Sequence, residues 1–186
     1  MASEHRKRHK AHLDQHVRDV GGSYHYVGDW YVLSGGKARL RALLLWYALT
    51  AVLVIAAGCV DFPGLRNTWY VILPYVFTVS MLFGLGLQTV RLARSGGRLK
   101  TFDWDRTKDK VVPFAGALAV FALLTAALGG VHLVLSGVRA RGVDALFFAP
   151  MLLSAACSRM AISAFRAQEW TRKSEPNDFN GDTPLK

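Results

Sequence analysis

Apolar residues in this chain come in four long blocks separated by short polar stretches. Residues 42–60, 67–90 and 111–138 carry no charge, and 145–165 carry only Arg159. Each block holds 19 to 28 residues, and about 20 helical residues cross the hydrocarbon core of a bilayer. Buried helices of soluble proteins are shorter and keep a polar face, and these blocks keep none. The pattern predicts an all-α integral membrane protein with four transmembrane helices, over about 41–60, 67–90, 112–135 and 145–165.

The connections suggest how the spans pair. Asp61-Phe62-Pro63-Gly64 stops the first block, and the short turn makes helices one and two an antiparallel hairpin. Residues 91–110 read as a polar loop broken at Gly96-Gly97, followed by a second hairpin. The chain thus divides into a basic, His-rich segment (1–36), a four-helix domain (37–170) and a tail (171–186) whose composition predicts disorder. The halves share a layout: Gly28-Asp29-Trp30 parallels Phe102-Asp103-Trp104, and Leu49-Thr50-Ala51 parallels Leu124-Thr125-Ala126. A duplication would relate them as parallel repeats.

Charge adds an orientation. Of 23 Lys and Arg, 8 lie in residues 1–41, 7 in 91–110 and 5 in 159–186, leaving only Arg66, Arg139 and Arg141 in the other two loops. Lys and Arg near membrane ends are retained in the cytoplasm, so both termini are expected inside. The net charge of +10 is then a topology signal with attraction to anionic lipid headgroups added, rather than a nucleic-acid signature. About forty polar residues precede the first block, so helix one is expected to direct insertion without a cleaved leader. Abundant Ala, Leu and Gly, with Arg in excess of Lys, point to the cytoplasmic membrane of a GC-rich prokaryote.

Gly21 to Gly36 alternates rings with small and polar residues between two glycine pairs. Its period predicts a short interfacial β-hairpin ahead of helix one, turning at Val27-Gly28-Asp29, with Gly35-Gly36 as hinge. Tyr24, Tyr26, Trp30 and Tyr31 would anchor it at headgroup level, as Trp69 and Trp104 would anchor helices two and three.

Candidate chemistry is sparse. His5, His9, His12 and His16 are spaced four, three and four apart, which on a helix makes one stripe able to chelate a metal ion. Arg6, Lys7, Arg8 and Lys10 would oppose that charge, and a solvated basic tail is the plainer reading. Asp103, Asp105 and Asp109 could hold a cation, but acids three residues from Arg106 and Lys108 pair on a helical turn just as well. Cys59 and Cys157 lie too far apart in depth for a disulfide. Asp178 to Asp182 lacks the Gly and bidentate Glu of a calcium loop. Phosphate-loop, Cys-x-x-Cys and serine-hydrolase motifs are missing, and no cofactor is expected.

Ala122, Ala126 and Gly130 recur every four residues on helix three, with Ala115 and Ala119 as a second row, a pattern that lets helices approach closely in lipid. No Asp, Glu or Lys falls inside any block, although such groups usually mark ion paths. Together these features predict a non-enzymatic membrane protein that acts as an accessory or scaffold, as a homo-oligomer or within a larger complex. The alternative is a channel or transporter subunit, its oligomeric pore lined by Thr78, Ser80, Gln88, Thr125, His132 and Ser136. A membrane enzyme using the three aspartates ranks last.

Overall fold

The computed structural model describes residues 16–18, 24–26, 29–34, 37–59, 68–135 and 146–174. These are mostly helical. In chain order they form β1 (His16–Arg18), β2 (Tyr24–Tyr26), β3 (Trp30–Leu33), α1 (Lys37–Cys59), α2 (Trp69–Arg94), β4 (Arg98–Lys100), α3 (Thr101–Leu135), α4 (Phe148–Arg166) and β5 (Trp170–Lys173). All four helices contain stretches long and apolar enough to span a membrane.

Around the bundle, α1 packs on α4, α4 on α3 and α3 on α2, while the α1 to α2 contact is the slightest of the four. Leu43, Val54, Leu85, Leu92, Val111, Leu118 and Met151 fill the interior. Leu45, Val52, Ile55, Leu73, Phe83, Leu87, Val120 and Val134 face outward on α1, α2 and α3, with Leu152 and Leu153 doing so on α4. An apolar outer surface on every helix is what lipid requires.

Lipid removes the hydrophobic drive between spans, so close packing and interhelical hydrogen bonds must hold them. Three glycines create the closest approaches. A Cβ on Gly58 would lie 2.1 Å from the Tyr75 hydroxyl, one on Gly86 2.3 Å from that of Tyr47, and one on Gly84 2.6 Å from the Phe114 ring. The Tyr75 hydroxyl donates to the Val54 carbonyl at 2.9 Å, joining α2 to α1. Phe77 stacks on Phe121 at 5.2 Å, joining α2 to α3. Pro74 lies inside α2, near enough to its start that the helix continues through it.

Helix α2 ends with Arg91 and Arg94 in its last turn, where cations complement the helix dipole. Gly96 and Gly97 then take φ of +61° and +93°, a left-handed reversal that only glycine enters without strain. The chain turns directly into β4 and α3.

Here the structure corrects the expected loop over residues 91–110. Phe102 to Lys110 are helical, because α3 runs for 35 residues. At 1.5 Å rise it is about 50 Å long, well beyond a core of about 30 Å. Hydropathy marks the apolar stretch and not the whole helix, so the charged first turns read as loop.

Two further expectations change. The expected disordered tail begins as strand, with Thr171 to Lys173 in β5. The stretch from Tyr24 to Leu33 does not fold on itself: β2 pairs with β1 (Val17 opposite His25), and β3 pairs with β4 and β5. Gly35-Gly36 lie outside the described residues. The halves also differ, since Trp30 is in a strand and Trp104 in a helix. Thr50 and Thr125 do correspond, both fully buried and bonded to carbonyls four residues back.

The close approaches set a test of packing. Gly84→Ala should destabilise the bundle by about 1–3 kcal/mol, because a methyl must displace the Phe114 ring. Gly130→Ala should cost nothing and should gain up to about 1 kcal/mol of helix stability, since a Cβ there meets nothing within 4 Å. Thermal unfolding of both variants in mild detergent checks the contrast, and equal losses would contradict it.

Candidate functional site

Strand β3 precedes α1, β4 lies between α2 and α3, and β5 follows α4. The three form one antiparallel sheet in the order β4-β3-β5. Trp30 faces Lys100 and Lys173, Tyr31 faces Leu99 and Arg172, and Val32 faces Arg98 and Thr171. Leu33 faces Trp170. Because partners across a ladder share a face, Tyr31, Leu33, Leu99 and Trp170 make one side mostly apolar, with Arg172 at its β5 edge, and the other side gathers Arg98, Lys100 and Lys173.

The apolar side lies on the bundle. Leu33 and Leu99 are buried in its core, and the Trp104 ring gathers the rest. Trp104 sits 5.4 Å from Tyr31, 4.6 Å from Trp170 and 6.2 Å from Phe165, so one indole joins β3, β5, α3 and α4. Aromatic pairs of this kind each contribute about 0.5–1.5 kcal/mol beyond burial. The other side carries Arg98, Lys100 and Lys173 around Trp30, with the Arg98 guanidinium 5.1 Å from the ring centroid. No carboxylate falls on that face of the three strands.

Asp29 locks the arrangement. Its carbonyl accepts from the Thr101 hydroxyl at 2.7 Å and the Thr101 amide at 3.3 Å, fixing the start of α3. Its carboxylate accepts from Arg172 Nε at 2.6 Å and Ser174 Oγ at 2.5 Å, and pairs with the second arm of the Arg172 fork. Two backbone bonds add to this, Leu33 N to the Gly97 carbonyl at 2.9 Å and Ser34 N to the Glu169 carbonyl at 2.8 Å. The Ser174 hydroxyl, followed by Arg172, holds the Asp29 carboxyl below the usual carboxylate range.

The residues singled out by sequence fall in different places. Tyr31 and Trp104 stack on the bundle side of the sheet, while Trp30 lies on the opposite side under Arg98; all three are half-buried. Trp69 is 72% exposed at the far end of the bundle, edge-on to Tyr70. Tyr24 and Tyr26 are in β2, and their side chains lie outside the described residues. His5, His9 and His12 also lie outside them. His16 is in β1 opposite Tyr26, so a helical histidine stripe does not extend to it. Among the described residues no group of three or more metal-ligating side chains converges.

The small-residue row divides as well. Ala122 and Ala126 are buried, and Ala122 clusters with Ala119 and with Ala155 of α4. Gly130 is half-buried with open space above it. Asp105 is engaged by Lys108 at 3.1 Å, three residues on. Thr78 and Thr125 hydroxyls bond carbonyls four residues back, and Ser80 does so on an exposed face. His132 meets the Tyr70 hydroxyl through Nδ1, and Ser136 lies outside the described residues.

Asp29 reads in the sequence only as a turn residue, and Trp170, Arg172 and Ser174 carry no expected role. Trp170-Thr171-Arg172-Lys173 has no apolar and polar alternation, so no local period marks it as the partner of Trp30 to Leu33.

The depressed Asp29 carboxyl gives a direction in pH. A group whose folded pKa lies below its unfolded value stabilises fully above the unfolded value and loses that contribution as pH falls through the folded one. Docking of β5 should therefore weaken only below about pH 4, the ordinary carboxylate range. Tryptophan fluorescence of the Trp104 and Trp170 pair should follow this change. Asp29→Asn should abolish the acid step, and an unchanged acid profile in that variant would contradict the lock. No family model, curated protein or solved structure matches the chain.

Proposed function

We propose that this protein is a non-enzymatic accessory or scaffold component of the prokaryotic cytoplasmic membrane, with both termini and the sheet on the cytoplasmic side. The observation that carries this reading is the sheet itself. Segments before or after all four helices meet there, and the assembly presents Arg98, Lys100 and Lys173 on one face. A basic platform held rigid at one end of a bundle suits docking to an anionic surface or an acidic partner.

The interior supports the same view. Fully buried Thr50, Thr78, Thr89, Thr125, Ser154 and Ser158 spend their hydroxyls on carbonyls of their own helices, which leaves few groups to line an ion path. Ala119 and Ala122 find Ala155 within the chain, so self-association would rest on the outer apolar faces and not on that row. The 20 to 3 distribution of Lys and Arg between the two sides supports the orientation.

Two measurements test this. A membrane-impermeant maleimide should label exposed Cys59, at the end of α1 away from the sheet, in intact cells, while buried Cys157 reacts only after unfolding. Labelling of Cys59 only after lysis would reverse the orientation. Crosslinking in native membrane should yield a homomeric or heteromeric adduct, and reconstituted liposomes should show no ion flux above empty ones. A strictly monomeric, uncrosslinked protein would sink the scaffold reading.

A further inference from the structure

Fully buried hydroxyls of the four helices follow a rule that Thr107 breaks. The six named above donate to a carbonyl three or four residues back, but Thr107 Oγ1 has no hydrogen-bond partner. Gln88 Oε1 and Arg91 Nη1 are likewise closed off from solvent and unpartnered. Leaving buried donors and acceptors unmade costs more than a typical hydrogen bond returns, so three such groups call for a ligand.

The register of α2 against α3 brings them to one level. Phe77 stacks on Phe121, and seven residues along, Gly84 receives the Phe114 ring. The helices run antiparallel and seven residues make two turns, so the next rung toward the sheet sets Arg91 opposite Thr107. Gln88 lies one turn deeper, on the same side of α2 as Arg91. Gln88 is 7% exposed and Thr107 fully buried, so both belong to the packed seam.

We propose that this rung binds the phosphate of an anionic glycerophospholipid whose headgroup carries hydroxyls, such as phosphatidylglycerol. Arg91 lies three residues from the end of α2 and Thr107 in the second turn of α3, the depth at which headgroups meet a span. A guanidinium N–H and a hydroxyl O–H together suit phosphate oxygens. Gln88 Oε1 accepts and does not donate, so it selects a headgroup with an O–H to give, which a choline headgroup lacks. The site goes beyond general attraction of basic residues to lipid and holds for either orientation of the chain.

Native mass spectrometry of the full-length protein in detergent tests it, with phosphatidylglycerol, phosphatidylcholine and inorganic phosphate added separately. The wild type should retain phosphatidylglycerol about tenfold better than phosphatidylcholine. Arg91→Gln should remove that preference, while Arg94→Gln, a surface control, should leave retention within about twofold. Thr107→Val keeps the volume and removes an unpartnered hydroxyl. It should unfold no earlier than wild type without lipid, yet lose the rise in Tm that phosphatidylglycerol gives the wild type. Equal retention of both lipids, equal losses in Arg91→Gln and Arg94→Gln, or a lipid-induced Tm rise that persists in Thr107→Val would overturn the proposal. Displacement of the lipid by millimolar phosphate would assign the site to a free anion and overturn it also.

Discussion

Strand β3 is the piece on which the rest of the molecule depends. Four residues, Trp30–Leu33, share their backbone hydrogen-bonding groups between β4 on one edge and β5 on the other. Those neighbours are continuous with the end of α2, the start of α3 and the end of α4, and β3 itself leads into α1. One short strand therefore joins all four spans at one end. In lipid this matters more than it would in water, because apolar helices gain little from leaving apolar surroundings.

The joint makes good a weakness in the bundle. Helices α1 and α2 follow one another in the chain but share the least contact of the four neighbouring pairs. Their ties are discrete: Tyr47 over Gly86, and Tyr75 beside Gly58 with its bond to the Val54 carbonyl. At the far end Tyr70 and His132 join α2 to α3. Without the sheet, the other end of α1 would be held by side-chain packing alone. With it, the basic face around Trp30 becomes a surface of fixed shape.

The four long helices were legible in the sequence because hydrophobic blocks of 19 to 28 residues admit few other readings. What lay outside those blocks was harder to read. Phe102 to Lys110 look like a loop by charge, although Asp105 and Lys108 are spaced to pair on a helix, as they do. The aromatic stretch was recognisable as strand, but its partners are about 70 and 140 residues away. Local period cannot report pairing at that separation. Three residues of β4 and four of β5 are also too short to stand out against their charged surroundings. Glycine was informative at the wrong place: spacing singled out Gly130, which faces open space, while Gly84 and Gly86 carry the close approaches. Only the facing helix decides which small residue is needed.

Amide hydrogen exchange on the membrane-embedded protein tests the central claim most directly. If β3 joins the four helix ends, the ladder amides of residues 30–33, 98–100 and 170–173 should be protected and should open together, with matching exchange free energies. Free exchange at residues 170–173 while 98–100 stay protected would contradict it, leaving α4 outside the joint.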